Sequence, residues 1–253
     1  MRLCHSGRPK TPLLGLLDPL CHALSFGKRK KEVTVSNTIS FVQEQGIATL
    51  SFDNPARRNA LGATELAAID TALDALEPAT RVLVITSSDD RIFCAGADLS
   101  QILDGVISGD RFQSVTNRIA GLPIPTIAVL TGNVFGGGAE LALSCDFRSG
   151  RAGMILRIPA AAIGLCYPVE GIERLTRRLG PNLCKRLLVA AETFSSEQLL
   201  AHQLLDSVHS ADEVRAAAQA YAETLLKLAP LSVSTMLDLI RQIEVGTYAR
   251  ADA

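Results

Sequence analysis

The sequence has few of the side chains that carry metal-dependent or serine-histidine chemistry. It contains no tryptophan and only four histidines in 253 residues, and none of these histidines, at His5, His22, His202 and His209, is near a glycine-rich loop. A Ser-His-Asp triad and a histidine-based metal site are therefore not supported. We interpret the histidines as surface residues, and we expect any acid or base to be a carboxylate.

Long apolar runs and closely paired cysteines are also absent. The apolar run at residues 123–130 spans eight residues, whereas a helix that crosses a bilayer needs roughly 18. The six cysteines are widely spaced and form no C-x-x-C pair, so neither a zinc site nor a disulfide framework is indicated. These absences predict a soluble, cytoplasmic protein with reduced thiols and no membrane partner.

The basic residues are concentrated at one end of a chain whose net charge is −1. Residues 1–31 contain seven Lys or Arg and one acid, whereas the rest of the chain contains 18 Lys or Arg and 25 acids. Duplex binding relies on clustered Lys and Arg, so the acidic remainder argues against a nucleic-acid partner. We interpret residues 1–32 as a disordered basic extension or the product of an upstream start codon. A transit peptide is the weaker alternative, because Pro9, Pro12 and Pro19 interrupt any amphipathic helix.

The remaining residues alternate between strand and helix patterns. The β-rich runs at 38–43 and 46–52 predict a hairpin, and apolar residues at helical spacing predict a helix that begins at Thr64. Buried strands are predicted at 81–86 and 123–130, and the second leads into a run of three glycines. Later helices are predicted near residues 171–179, 182–191, 196–205, 212–228 and 231–245. This alternation predicts a single α/β core followed by helices.

Two glycine-containing segments offer what a reacting carbonyl needs. They are FCAGADLS at residues 93–100 and GGGAELALSCD at residues 136–146. Free backbone N–H donors at a glycine turn or a helix start can face the negative charge that develops on such a carbonyl. Glu140 falls in the first turn of the helix that follows the glycines, in a position suited to acid or base chemistry. A tight turn and a capping carboxylate are the alternative interpretations of these residues.

Five segments together resemble the enoyl-CoA hydratase/isomerase, or crotonase, family across about residues 33–246. They are NPARRNAL (54–61), IFCAGADLS (92–100), PTIAVLTGNVFGGGAELALSCDFR (125–148), IPAAAIGL (158–165) and ERLTRRLG (173–180). Their order and spacing are similar to the family's. The resemblance implies a ClpP/crotonase α/β core of repeated β-β-α units at 33–195. It also implies a helical carboxyl-terminal region at 196–253, shorter than is usual for the family.

The resemblance also implies roles for particular residues. The N–H groups of Ala97 and Gly137 match the oxyanion hole around a thioester oxygen, where losing one donor typically costs about 2.7–4 kcal/mol of transition-state stabilisation. The predicted substrate-binding residues are Arg57, Arg58, Ala60, Ala95, Gly96, Asp98, Leu99, Gly136, Gly138, Ala160 and Glu170. Coenzyme A is implied only as part of an acyl-CoA substrate, and no metal or redox cofactor is implied.

Two departures from the family pattern concern the acid/base groups. Family hydratases use two glutamates, and Glu140 matches the first of them. The second position falls on Ala160, and a methyl group cannot transfer protons. In addition, the segment CYPVEG at residues 166–171 replaces a glycine-rich stretch, so Glu170 or Tyr167 is a candidate substitute. A carboxylate at a helix start is the alternative interpretation of Glu170.

The sequence therefore predicts an acyl-CoA enzyme of the hydratase/isomerase type. In this interpretation Ala97 and Gly137 polarise the thioester carbonyl, and Glu140 positions water or moves a proton. The alternative is a non-catalytic acyl-CoA-binding member of the family, which Ala160 favours. A serine peptidase of related architecture is disfavoured, because no serine stands at the helix start and no histidine is nearby. The resemblance also implies a homo-oligomer, either a trimer or a hexamer.

Overall fold

A computed structural model describes residues 30–249, which form a seven-stranded sheet, a smaller four-stranded sheet and surrounding helices. The strands are β1 (Lys31–Thr34), β2 (Ile39–Glu44), β3 (Ile47–Phe52), β4 (Val82–Ser87), β5 (Ile92–Cys94), β6 (Thr126–Leu130), β7 (Asn133–Phe135), β8 (Phe147–Arg151), β9 (Ile155–Arg157), β10 (Thr193–Ser195) and β11 (Ser207–His209). The helices are α1 (Ala63–Asp74), α2 (Leu99–Leu103), α3 (Gly109–Ala120), α4 (Gly137–Ser144), α5 (Val169–Leu188), α6 (Ser196–Ala201), α7 (Val214–Leu226) and α8 (Pro230–Val245). No helix within residues 30–249 is long and apolar enough to cross a membrane.

The large sheet has the order β1-β2-β3-β4-β6-β8-β11 and begins with the predicted hairpin. Strands β2 and β3 are antiparallel and are joined by Gln45 and Gly46, whose φ angles of 51° and 84° suit a tight two-residue hairpin turn. The next pairs, β3–β4, β4–β6 and β6–β8, are all parallel. All five residues of β6 are buried, as expected for a central parallel strand covered on both faces.

The predicted helices are present, but two of their boundaries differ from the prediction. The helices predicted at 171–179 and 182–191 are merged as α5, with a break at Gly180, whose φ of 75° and ψ of 159° are not helical. The helix predicted to reach residue 205 ends at Ala201, because Gln203 has a φ of 58° and the chain turns to bury Leu204 and Leu205. The spacing of apolar residues predicted a helix that is too long. Leu204 and Leu205 are apolar because they are buried in the core after the helix has ended.

The predicted division of the chain into an extension, a core and a helical region stays a prediction. Residues 1–29 lie outside the described residues, and β1, which begins at Lys31, already pairs with β2. The region after residue 195 is not purely helical, since β11 adds a parallel strand beside β8.

The small sheet, with the order β10-β9-β7-β5, positions the functional loops. Strands β5 and β7 are parallel neighbours, so their carboxyl ends meet at the same edge. Strand β5 leads into residues 95–98, and β7 leads through Gly136 into α4. The two segments that sequence analysis singled out therefore lie side by side.

Candidate active site

The two glycine segments approach each other too closely for side chains. Gly96 has a φ of 85°, and a Cβ atom there would lie 2.4 Å from the backbone nitrogen of Gly137. A Cβ on Gly138 would lie 2.5 Å from the carbonyl oxygen of Cys94. Glycine is therefore required at both positions, because any larger residue would push α4 away from the end of β5.

Two backbone N–H groups at this junction have no acceptor. Within residues 30–249, the N–H groups of Ala97 and Gly137 donate to no backbone or side-chain atom. The N–H groups of Asp98 and Gly136, next to them in the chain, are paired: Asp98 N donates to Leu61 O and Gly136 N donates to Arg157 O, each at 3.0 Å. Gly137 is the first residue of α4, where an N–H has no partner inside the helix. Free donors of this kind are available to a ligand.

Both residues line an apolar cavity of about 270 Å³. The predicted site residues that line it are Ala95, Ala97, Leu99, Gly136, Gly137, Glu140 and Ala160. Gly138 is buried behind the cavity, where it allows the close packing of α4, and Gly96 places the Gly137 N–H. Sequence analysis did not identify the contributions of Phe112, Leu165 and Cys166, which come from α3 and from the loop before α5.

Glu140 is the carboxylate of this cavity and is only 1% exposed. Its Oε1 atom accepts hydrogen bonds from Arg174 Nη1 at 3.0 Å and from Thr116 Oγ1 at 3.3 Å. Its Oε2 atom has no hydrogen-bonding partner in the part of the chain that the structure describes, and it lies 2.9 Å from where a Gly171 Cβ would stand. One carboxylate oxygen is thus engaged, and the other is free.

Arg174 is a functional residue that sequence analysis missed. Its guanidinium comes from the second turn of α5, forms an ion pair with Glu140, and donates to Thr116 Oγ1 at 2.9 Å. Burial lowers the pKa of Arg174, while the charge of Glu140 acts in the opposite direction. Arg174 stands in the quoted segment ERLTRRLG, but the sequence gives no sign that this arginine, among several, faces Glu140.

Tyr167 and Glu170, the two candidate substitutes, are placed differently. Tyr167 lines the cavity, and its buried hydroxyl is close enough to Glu140 to interact with it but makes no well-formed hydrogen bond within residues 30–249. Burial raises the pKa of Tyr167 well above its usual value, and the charge of Glu140 raises it further. Glu170 is exposed and lines a separate charged depression of about 460 Å³. It shares the outward face of α5 with Glu173 and Arg177, as its helical spacing dictates.

The predicted coenzyme A segment at residues 57–61 lies beside the cavity rather than in it. Ala95 N donates to Arg58 O at 3.0 Å and Leu61 N donates to Gly96 O at 2.8 Å, so this segment is paired with the first glycine loop. Arg57 and Arg58 are both exposed, and Ala60 is partly buried between them and the loop.

Asp98 has a structural role that the resemblance did not indicate. It is buried at the start of α2, where Oδ1 accepts from the Ser100 hydroxyl at 2.6 Å and from Ser100 N at 3.1 Å. Its other oxygen pairs with Arg57 at 2.6 Å. The pKa of Asp98 is lowered, mainly by the Ser100 hydroxyl and further by the nearby charge of Arg57. Asp98 therefore holds Arg57 at the rim of the site.

Asn59 fixes the same segment from below and was also missed. It is 1% exposed, and its amide nitrogen donates to Ser87 Oγ at 2.8 Å and to the carbonyl oxygens of Ile92 and Phe93, each at 3.1 Å. These bonds tie the segment to β4 and β5. A buried, fully bonded asparagine of this kind specifies a loop position, and only tertiary contacts reveal it.

Comparisons with known proteins agree with this architecture. A family model described as "Enoyl-CoA hydratase/isomerase" matches residues 42–244. "Enoyl-CoA hydratase domain-containing protein 2, mitochondrial" of Bos taurus is 35% identical over 213 residues, covering 79% of this chain and 72% of that protein. "Crotonyl-CoA hydratase" of Syntrophomonas wolfei is 30% identical over 198 residues, covering 76% of each chain. A solved enoyl-CoA hydratase from Bacillus anthracis superposes with a TM-score of 0.77 at 23% identity, covering 83% of this chain and 87% of that one.

The molecule is thus a mixed α/β protein of the crotonase fold, and the predicted fold class is confirmed. The chain belongs to the enoyl-CoA hydratase/isomerase family. Membership supports acyl-CoA thioesters as the class of substrate and an enzyme of the hydratase/isomerase type.

Proposed function

We propose that the cavity binds a 2-enoyl-CoA thioester and catalyses the addition of water to its double bond. The observation that carries this proposal is the pair of unpaired N–H groups, at Ala97 and Gly137, in one apolar cavity with a single buried carboxylate, Glu140. Two fixed donors stabilise the enolate-like oxygen that forms when a nucleophile adds to the conjugated double bond. The apolar lining strengthens these interactions by excluding water.

Glu140 is the proposed general base. Its free Oε2 atom accepts a proton from the attacking water, while Arg174 and Thr116 hold Oε1 and so fix the orientation of the carboxylate. The water oxygen bonds to C3 of the acyl group, and the electrons of the double bond move onto the thioester oxygen between the two N–H donors. The reaction ends when C2 receives a proton.

Coenzyme A is proposed to take part only as a portion of the substrate, and the reaction is proposed to need no metal or redox cofactor. The proposed location of the protein is the cytoplasm. Arg57, held at the rim by Asp98, and the exposed Arg58 are proposed to meet phosphate groups of coenzyme A. A homo-oligomer is proposed because α8 buries none of its residues within the described chain, and the family resemblance is the ground for proposing a trimer or hexamer. Its exposed apolar residues include Leu231, Met236, Ile240 and Ile243.

A binding-only role is the second candidate, and Ala160 favours it. The second carboxylate of a family hydratase is replaced by a methyl group that lines the same cavity as Glu140. Such a protein would hold an acyl-CoA without converting it.

A hydration assay with crotonyl-CoA, run beside a binding titration, separates these functions. We expect turnover, and we expect free ligand at 100 times its dissociation constant to add about 2.7 kcal/mol to the free energy of unfolding. Free coenzyme A, which has no thioester carbonyl, is the matched control. At the same concentration as the acyl-CoA it should raise the free energy of unfolding by a smaller amount. Stabilisation without turnover would favour the binding-only role. An unchanged unfolding midpoint with every acyl-CoA tested would contradict the ligand class.

A further inference from the structure

Hydration needs a group that delivers a proton to C2 of the acyl chain, and the residue at position 160 cannot supply one. Across the described residues 30–249, five buried side-chain polar atoms lack a hydrogen-bonding partner, and the Tyr167 hydroxyl is the only one that belongs to a residue lining the cavity. A buried polar group without a partner is costly and calls for a functional explanation. A substrate in the cavity would give this hydroxyl something to bond.

The side chains of Tyr167 and Glu140 both lie next to Gly171. A Cβ placed on Gly171 would lie 2.6 Å from Tyr167 Cε1 and 2.9 Å from Glu140 Oε2. The tyrosine ring and the free carboxylate oxygen therefore flank the same point, where the absence of a side chain leaves both of them room. Gly171 is buried in the first turn of α5, Glu140 comes from α4, and Tyr167 comes from the loop that leads directly into α5.

The two groups begin the reaction in complementary states. Burial and the charge of Glu140 raise the pKa of Tyr167, so its phenol holds a proton at neutral pH. Arg174 forms an ion pair with the Glu140 carboxylate through Oε1 and leaves Oε2 free to accept a proton. One group is thus poised to donate a proton and the other to accept one.

We propose that Tyr167 is a second catalytic residue, which donates its phenolic proton to C2 of the enolate formed when water adds to the enoyl thioester. This inference rests on the proposed hydration. The O–H bond of Tyr167 breaks, a C–H bond forms at C2, and the phenolate keeps the electron pair. The proton that Glu140 took from water then passes to the phenolate, which restores both residues. The net change is the addition of one water molecule to the double bond.

The first test replaces Tyr167 by phenylalanine, which keeps the ring and removes only the hydroxyl. We expect the kcat for crotonyl-CoA hydration to fall by about 10²–10⁴-fold, as is typical when a general acid is lost, while acyl-CoA binding persists. Because the hydroxyl makes no well-formed hydrogen bond to the described part of the chain, the variant should fold with a melting temperature close to that of the wild type. Tyr221→Phe is the matched control, since Tyr221 packs on Phe147 away from the cavity, and its activity should not change.

A second variant distinguishes proton donation from a structural role. Adding Ala160→Glu to Tyr167→Phe introduces a carboxylate into the same cavity, and turnover should rise above that of Tyr167→Phe alone. A wild-type protein that binds acyl-CoA but never hydrates it would contradict the proposed function itself. Active wild type with an equally active Tyr167→Phe would overturn only the role of Tyr167. Loss of folding or of acyl-CoA binding in Tyr167→Phe, or no rescue by Ala160→Glu, would likewise overturn it.

Discussion

Replacing Glu140 by glutamine is expected to lower the kcat for enoyl-CoA hydration by about 10²–10⁴-fold while acyl-CoA binding persists. The amide keeps the shape of the carboxylate but cannot accept the proton of the attacking water. Its carbonyl oxygen can still accept the hydrogen bond from Arg174 that Oε1 accepts now. Steady-state kinetics with crotonyl-CoA, with the dissociation constant measured by calorimetry, would check the expected result.

Glu140 also neutralises Arg174, so stability must be measured with the rate. Removing one partner of a buried ion pair typically costs about 3–5 kcal/mol, and the retained hydrogen bond should reduce that loss here. Glu173→Gln is the matched control, because it removes an exposed carboxylate from the helix that carries Arg174 and should leave turnover unchanged. Full turnover by a folded Glu140→Gln variant would show that the base lies elsewhere.

Removing the N–H of Gly137 is expected to lower kcat by about 10²–10³-fold, the usual effect of losing one oxyanion donor. Proline at this position deletes the N–H without breaking α4, because the first position of a helix tolerates proline. The added side chain would press on Phe112, since a Cβ on Gly137 would lie 2.6 Å from Phe112 Cζ.

Gly137→Ala is therefore the necessary control, because it introduces the same contact with Phe112 but keeps the N–H. The expected result is that Gly137→Pro turns over about 10²–10³-fold more slowly than Gly137→Ala. Equal rates in the two variants would mean that the crowding, not the donor, determines the loss. In that case the role proposed for Gly137 would be wrong.

Local patterns in the sequence predicted much of the frame around the site. The hairpin at β2 and β3 was predictable because Gln45-Gly46 is a tight turn between two β-rich runs, and the strand at β6 because four of its five residues are apolar. The two glycine loops were predictable because glycine is needed where one backbone segment packs directly against another or against a ligand. Gly96 packs in this way against Gly137.

The acid/base groups were only partly predictable, because their partners come from distant helices. Glu140 was identified from its place after the glycine run. Arg174 is 34 positions further along the chain, and its contact with Glu140 depends on how α5 packs against α4. The sequence prediction placed Glu170 in the site and offered Tyr167 only as a candidate substitute, but it is Tyr167 that lines the cavity, because Glu170 points outward from the first turn of α5.

We claim that the N–H groups of Ala97 and Gly137 polarise a thioester carbonyl, and isotope-edited infrared spectroscopy measures this polarisation. Butyryl-CoA labelled with ¹³C at the carbonyl is suitable, because it has no double bond to hydrate. On binding, its carbonyl stretch should move to lower frequency than in water, and the shift should shrink in Gly137→Pro but not in Gly137→Ala. A bound ligand whose carbonyl frequency equals that in water would contradict the claim.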